Sequence, residues 1–95
     1  MNTAVPIASA SHSVLNISCY QFVAIDAPDA LRDRLHERAH ALGLKGTVLI
    51  AEEGINLFLA GAPEAVNAWV AALREDRRFA ALAPKESWSD QVPFR

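Results

Sequence analysis

Several groups of residues in this 95-residue chain have types and spacings that chemistry could use. The first is Ala51-Glu52-Glu53-Gly54-Ile55-Asn56, "AEEGIN", which lies between two apolar runs, "GTVLI" and "LFLAG". Paired carboxylates can do general acid–base work when they share a site. Side chains of consecutive residues at a strand end point to opposite sides, which argues against a shared pair. The structural reading is a tight hairpin turned at Glu53-Gly54. Gly54 would then supply a positive φ, and Asn56 would tie its side chain to nearby backbone. The functional reading is a contact point, with Lys45, Thr47, Glu53, Gly54 and Asn56 as candidates.

The second group is "HERAH", residues 36–40. Two histidines at i and i+4 with an intervening Glu fit a zinc-hydrolase spacing. At roughly 100° per residue, His36 and His40 lie away from the apolar stripe of their helix and are expected to face solvent. A catalytic zinc also needs a third protein ligand and a cleft. His36, Glu37 and His40 are therefore read as a chance match on a solvated helix face, and no metal is expected. The third group, Arg74, Arg77 and Arg78, falls near the end of a second helix, where cations answer the helix dipole. With Lys85 it forms a candidate polyanion contact. Cys19 sits among apolar neighbours in a strand, and a buried, inert thiol is expected. No residue of this chain is assigned a catalytic role.

Composition restricts the possibilities further. Ninety-five residues make one domain at most. Nine basic and eleven acidic residues leave a net charge of -2, so any nucleic-acid contact must rest on a local patch. One cysteine rules out an internal disulfide and suits a reducing cytoplasm. No run of about 18 apolar residues exists to cross a membrane as a helix.

The elements that would position these groups follow from periodicity. Residues 1–16 lack it and read as a disordered tail. Residues 17–25, "ISCYQFVAI", read as a strand that is apolar on both faces and hence central. A helix follows, opened by Asp26 or Ala27 with Pro28 in its first turn. Its stripe is Leu31, Leu35, Ala39 and Leu42, and Gly43 stops it. "GTVLIAE" and "INLFLAG" are two strands of a hairpin. Pro63 and Glu64 begin a second helix with the stripe Val66, Trp69, Val70 and Leu73. "LAPKESWSDQ" is a weaker, edge-like strand. The domain is read over residues 17–91. "QVPFR" restarts an apolar pattern, so residues 92–95 are expected to begin a connection within a longer protein.

The order β-α-β-β-α-β predicts an α+β, ferredoxin-like sandwich with two helices on one face of an antiparallel sheet. The other sheet face is left open. Acylphosphatases share this topology, but their activity needs a phosphate cradle and an Arg in the first strand-to-helix loop. "AIDAPDA" offers two acids, no Gly and no Arg, so that activity is rejected. RNA-binding sandwiches of the same topology stack bases on aromatics of the open face. Tyr20, Phe22 and Phe58 are candidates for that role. Packing on another domain, or partial burial in the core, would explain the same aromatics.

"YQFVAI", "LRDRL", "GTVLIAEEGINLFLAG", "AVNAWVAALREDRRFAAL", "KES" and "PFR" run in the order of one bacterial family. Over roughly residues 18–95 the chain resembles the N-terminal domain of the rhodanese-domain-containing tRNA uridine hydroxylases. Leu57 and Phe58 depart toward larger apolar residues. The resemblance implies an acylphosphatase-like domain followed by a rhodanese-like domain that carries the active cysteine. It implies oxygen-dependent hydroxylation of the wobble uridine of tRNA to 5-hydroxyuridine, in the cytoplasm. Molecular oxygen would serve the full-length protein, with no cofactor in this domain. The implied partners are tRNA and the rhodanese-like domain, with no membrane. This domain would position tRNA or dock on its neighbour. The alternative is a free-standing RNA-binding or protein-docking module without enzymatic activity.

Overall fold

The computed structural model describes residues 13–92. The elements are β1 (Val14–Phe22), α1 (Pro28–Ala41), β2 (Lys45–Ala51), β3 (Gly54–Gly61), α2 (Pro63–Arg74) and β4 (Lys85–Ser89). One turn of 3-10 helix, Arg77–Phe79, precedes β4. The strands form a single sheet in the order β2-β3-β1-β4, with every neighbouring pair antiparallel. This is the expected α+β, ferredoxin-like arrangement.

Alternation along the strands builds the core. Leu15 and Ile17 of β1, Val48 of β2, and Ile55, Leu57 and Leu59 of β3 are all buried on one sheet face. They join Leu31, Leu35 and Ala39 of α1 and Val66, Trp69, Val70 and Leu73 of α2. Trp69 is fully buried, and its indole N–H donates to the Leu35 carbonyl at 3.1 Å, joining the two helices. A buried indole that keeps its hydrogen bond adds apolar area without leaving a donor unpaired.

Local signals explain most element boundaries. Gly43, at φ 73°, ends α1 as expected. Its N–H donates to the His40 carbonyl and the Leu44 N–H to the Ala39 carbonyl, the paired bonds of a left-handed helix cap. At the start of α1, Ala27 is itself left-handed, with φ 49°, and no side chain caps the helix. Asp26 therefore does not serve as the cap.

β1 departs from expectation at both ends. It starts at Val14, because Val14 and Leu15 pair with Ser89 and Trp88 of β4. Leu15 and Asn16 are buried, so residues 14–16 belong to the sheet and not to a tail. The tail expected over residues 1–12 lies outside the described residues, as does the connection expected at residues 93–95. At the other end the ladder stops at Phe22, opposite Gly54. The main chain continues bonding there: Val23 N–H donates to the Glu53 carbonyl at 3.0 Å, and Ile25 N–H to the Glu52 carbonyl at 2.9 Å.

Candidate nucleic-acid interface

Pairing across the sheet fixes which side chains share the face away from the helices. Phe22 is opposite Gly54, and Gly54 opposite Ala51. The next row is Tyr20, Asn56 and Leu49. A third row joins Lys85, Ser18, Phe58 and Thr47. A fourth joins Ser87, Asn16, Ala60 and Lys45. Seven expected contact residues, Tyr20, Phe22, Lys45, Thr47, Gly54, Asn56 and Phe58, are thus brought onto one face. Glu53 stands beside it in the turn.

The hairpin half of this face is open. Tyr20 is 65% exposed, Phe22 72%, Leu49 62% and Phe58 39%, which excludes Tyr20 and Phe22 from the core. The Tyr20 and Phe22 rings are tilted by 57°, with centroids 4.8 Å apart. A shallow depression of ≈ 190 Å³ lies here, with Tyr20, Phe22, Leu49, Glu53 and Asn56 in its lining. A second, of ≈ 380 Å³, continues past Tyr20 and Asn56 to Ser18 and Lys85. At the far end Asn16 and Ala60 are buried. The Asn16 amide donates to Ser89 Oγ at 3.1 Å, and its Oδ1 has no partner among the described residues.

Charge on this face is one-sided. Lys45 and Lys85 occupy strand positions on it, and no Asp or Glu does. The chain as a whole is net acidic, so its carboxylates lie elsewhere. The turn residues Glu52 and Glu53 border the face at its hairpin end, and Glu86 of β4 borders it beside Ser18, Phe58 and Lys85.

The turn differs from the expected one. Its two residues are Glu52 and Glu53, and Gly54 already pairs with Ala51 as the first residue of β3. Gly54 has the expected positive φ, 159°, near the extended limit. Its need for glycine is steric: a Cβ would overlap the Gln21 carbonyl oxygen and sit 3.1 Å from Phe22 Cα. Gly46 is constrained in the same way, because a Cβ there would overlap the Phe58 carbonyl. The expected backbone tie of Asn56 is also absent: its exposed amide has no hydrogen-bond partner among the described residues.

The other candidates scatter. His36 is exposed, as expected, and also makes one bond. Its Nε2–H donates to the Val48 carbonyl at 2.9 Å, covering part of the free edge of β2. His40 and Glu37 are exposed, and no three His, Cys, Asp or Glu gather to hold a metal among the described residues. Arg74 Nε donates to the Leu82 carbonyl at 2.9 Å. Arg78 is paired with Asp76 at 2.6 Å and lies over the Phe79 ring. Of the three arginines, Arg77 alone has no such tie among the described residues. Lys85 is on the opposite sheet face, so the four do not form one patch. Cys19 is half-buried, and burial pushes its thiol pKa up while the neighbouring Tyr20 N–H pulls it down less. That thiol is not set up as a nucleophile.

Leu49 was not evident as a surface residue, because "GTVLIA" is apolar at nearly every position. Only its parity with Thr47 could have shown it.

The comparisons agree with this architecture. A family model described as "UPF0176 acylphosphatase like domain" matches residues 14–95, from the first residue of β1 onward. Among similar proteins, one named tRNA uridine(34) hydroxylase from Delftia acidovorans is 66% identical over 82 residues. The match covers 86% of this chain and 31% of that protein. Proteins of the same name from Variovorax paradoxus and Bordetella avium are 63% and 56% identical, with 31% and 34% of their lengths covered. The chain thus spans about a third of the curated relatives it matches. With its family model covering most of the sequence, the chain belongs to the UPF0176 acylphosphatase-like domain family.

Proposed function

We propose that this chain is the N-terminal domain of an enzyme that hydroxylates the wobble uridine of tRNA to 5-hydroxyuridine. Within that enzyme it serves to hold unpaired tRNA nucleotides on the hairpin half of its open sheet face. The single observation that carries the reading is the cluster of exposed aromatics on the central strands, Tyr20 and Phe22, on a face whose strand positions hold two lysines and no carboxylate. Stacking on such rings and cationic contact with phosphates are the two parts of single-strand binding. An apolar patch alone would suit a protein neighbour equally. The one-sided charge favours RNA.

Chemistry is assigned to the rest of the longer protein, a rhodanese-like domain, with molecular oxygen as co-substrate, in the cytoplasm. Within this domain the β1-to-α1 junction holds Asp26 in the loop and Asp29 in the first turn of α1, around a left-handed Ala27, and is unsuited to cradle a phosphate. Cys19, held as a thiol, offers no substitute nucleophile.

Amide-shift titration with an anticodon stem-loop RNA tests the reading, using this chain and the full-length protein. Shifts at Tyr20, Phe22, Leu49 and Asn56 are expected in both. Shifts at those residues only when the remaining polypeptide is added, and none with RNA, would show that the face is an interdomain surface.

A further inference from the structure

We infer that the depression at the hairpin end takes one unpaired nucleobase, and that Asn56 is the residue that reads its edge. The inference rests on the reading of the open face as an RNA surface and goes further in naming the ligand group and the specificity residue. Asn56 stands between Leu49 and Tyr20 in one cross-strand row, with Phe22 in the next. Directly opposite side chains on a sheet are about 5 Å apart at Cβ, so a planar group lying on the row would meet all of them. The depression, at ≈ 190 Å³, is large enough for a single ring system.

The amide is the informative part. It presents donors and an acceptor, uses none of them within the described residues, and is flanked across the strands by the apolar bodies of Leu49 and Tyr20. An apolar group from a protein would cover the patch and leave that amide desolvated and unpaired. A nucleobase supplies both a flat π-face for Tyr20 and Phe22 and a donor–acceptor edge for Asn56. Glu53 at the rim disfavours phosphate at this end. The sugar–phosphate backbone is thereby directed toward Lys45 and Lys85, and the base toward the hairpin.

The test is a set of seven-nucleotide-loop stem-loop RNAs carrying a single abasic site at each loop position in turn. Binding is read by fluorescence anisotropy with this chain and with the full-length protein. For the wild type, one abasic position should weaken binding by about tenfold, the scale of a stacked and hydrogen-bonded base. In Asn56→Ala that same position should lose most of its penalty. Asn56→Asp, of the same size but without N–H donors, should behave alike. Abasic penalties unchanged in both variants, with binding still weakened by Tyr20→Ala, would overturn this inference and leave the RNA surface standing. No binding to any loop by either protein would overturn both.

Discussion

Replacing Gly54 by alanine tests how the hairpin is locked to β1. The added Cβ would overlap the Gln21 carbonyl oxygen, so β3 must move away from β1 at Phe22. The turn beyond it would carry Glu52 and Glu53 along. Their carbonyls accept from Ile25 and Val23, and both bonds would be strained or lost. At about 1 kcal/mol net for each bond, with a similar sum for backbone displacement, the expected loss is roughly 2–4 kcal/mol. A domain of this size shifts its Tm by about 4–8 °C per kcal/mol, so the midpoint should fall by roughly 10–25 °C. Urea denaturation would measure the loss. Hydrogen exchange would show reduced protection at the Val23 and Ile25 amides. The control is Glu53→Ala, whose side chain is exposed and should change stability by no more than about 0.5 kcal/mol. A loss below about 0.5 kcal/mol for Gly54→Ala would refute the steric argument.

Other outcomes follow from single interactions. Asp76 has its pKa lowered to about 2, chiefly by the Arg78 hydrogen bond. Because the folded value lies below the ordinary 3.8, the stabilisation is full above that pH and is lost as pH falls through about 2. The whole shift would be worth about 2 kcal/mol, and partial exposure of the pair leaves about 1 kcal/mol. Asp76→Asn should show that difference in urea melts at pH 6 and almost none at pH 2. Trp69→Phe removes the bond to Leu35 and leaves unfilled volume, for a loss of about 2 kcal/mol by thermal melting. Ala27→Gly relieves a left-handed alanine of about 1 kcal/mol, partly offset by greater freedom in the unfolded chain, so Tm should not fall. Phe22→Ala should weaken stem-loop binding at least fivefold while leaving the denaturation midpoint nearly unchanged.

The fold was legible because each element carried its own signal. Trp69 and its stripe marked the inner face of α2, and Gly43 marked the end of α1. What escaped the sequence depended on partners distant along the chain. Val14 to Asn16 directly follow a Ser- and Ala-rich stretch without periodicity, and pairing with Ser87 to Ser89 and with Ala60 and Gly61 makes them strand. The glycine of "AEEGIN" was recognised as required for its positive φ, which it has, but the approach of the Gln21 carbonyl had no signal in the sequence. His36 was read by helical angle as facing solvent and is exposed, but its bond to the Val48 carbonyl had no signal in the sequence. The free edge of β2 lies close enough to accept its N–H. Of the candidate contact residues, those on the hairpin strands and β1 came together because strand parity is readable. The arginines and Lys85 did not, because short spacing in the chain says nothing about opposite sides of a sheet.

The proposed RNA surface is the face bearing Tyr20, Phe22 and Asn56. The most direct measurement is the amide-shift titration with an anticodon stem-loop, run on wild type and on Tyr20→Ala. Saturable shifts confined to the hairpin half of that face, weakened at least fivefold by the substitution, are the predicted result. Shifts confined to the helix side around Arg77, with the open face silent in both this chain and the full-length protein, would contradict it.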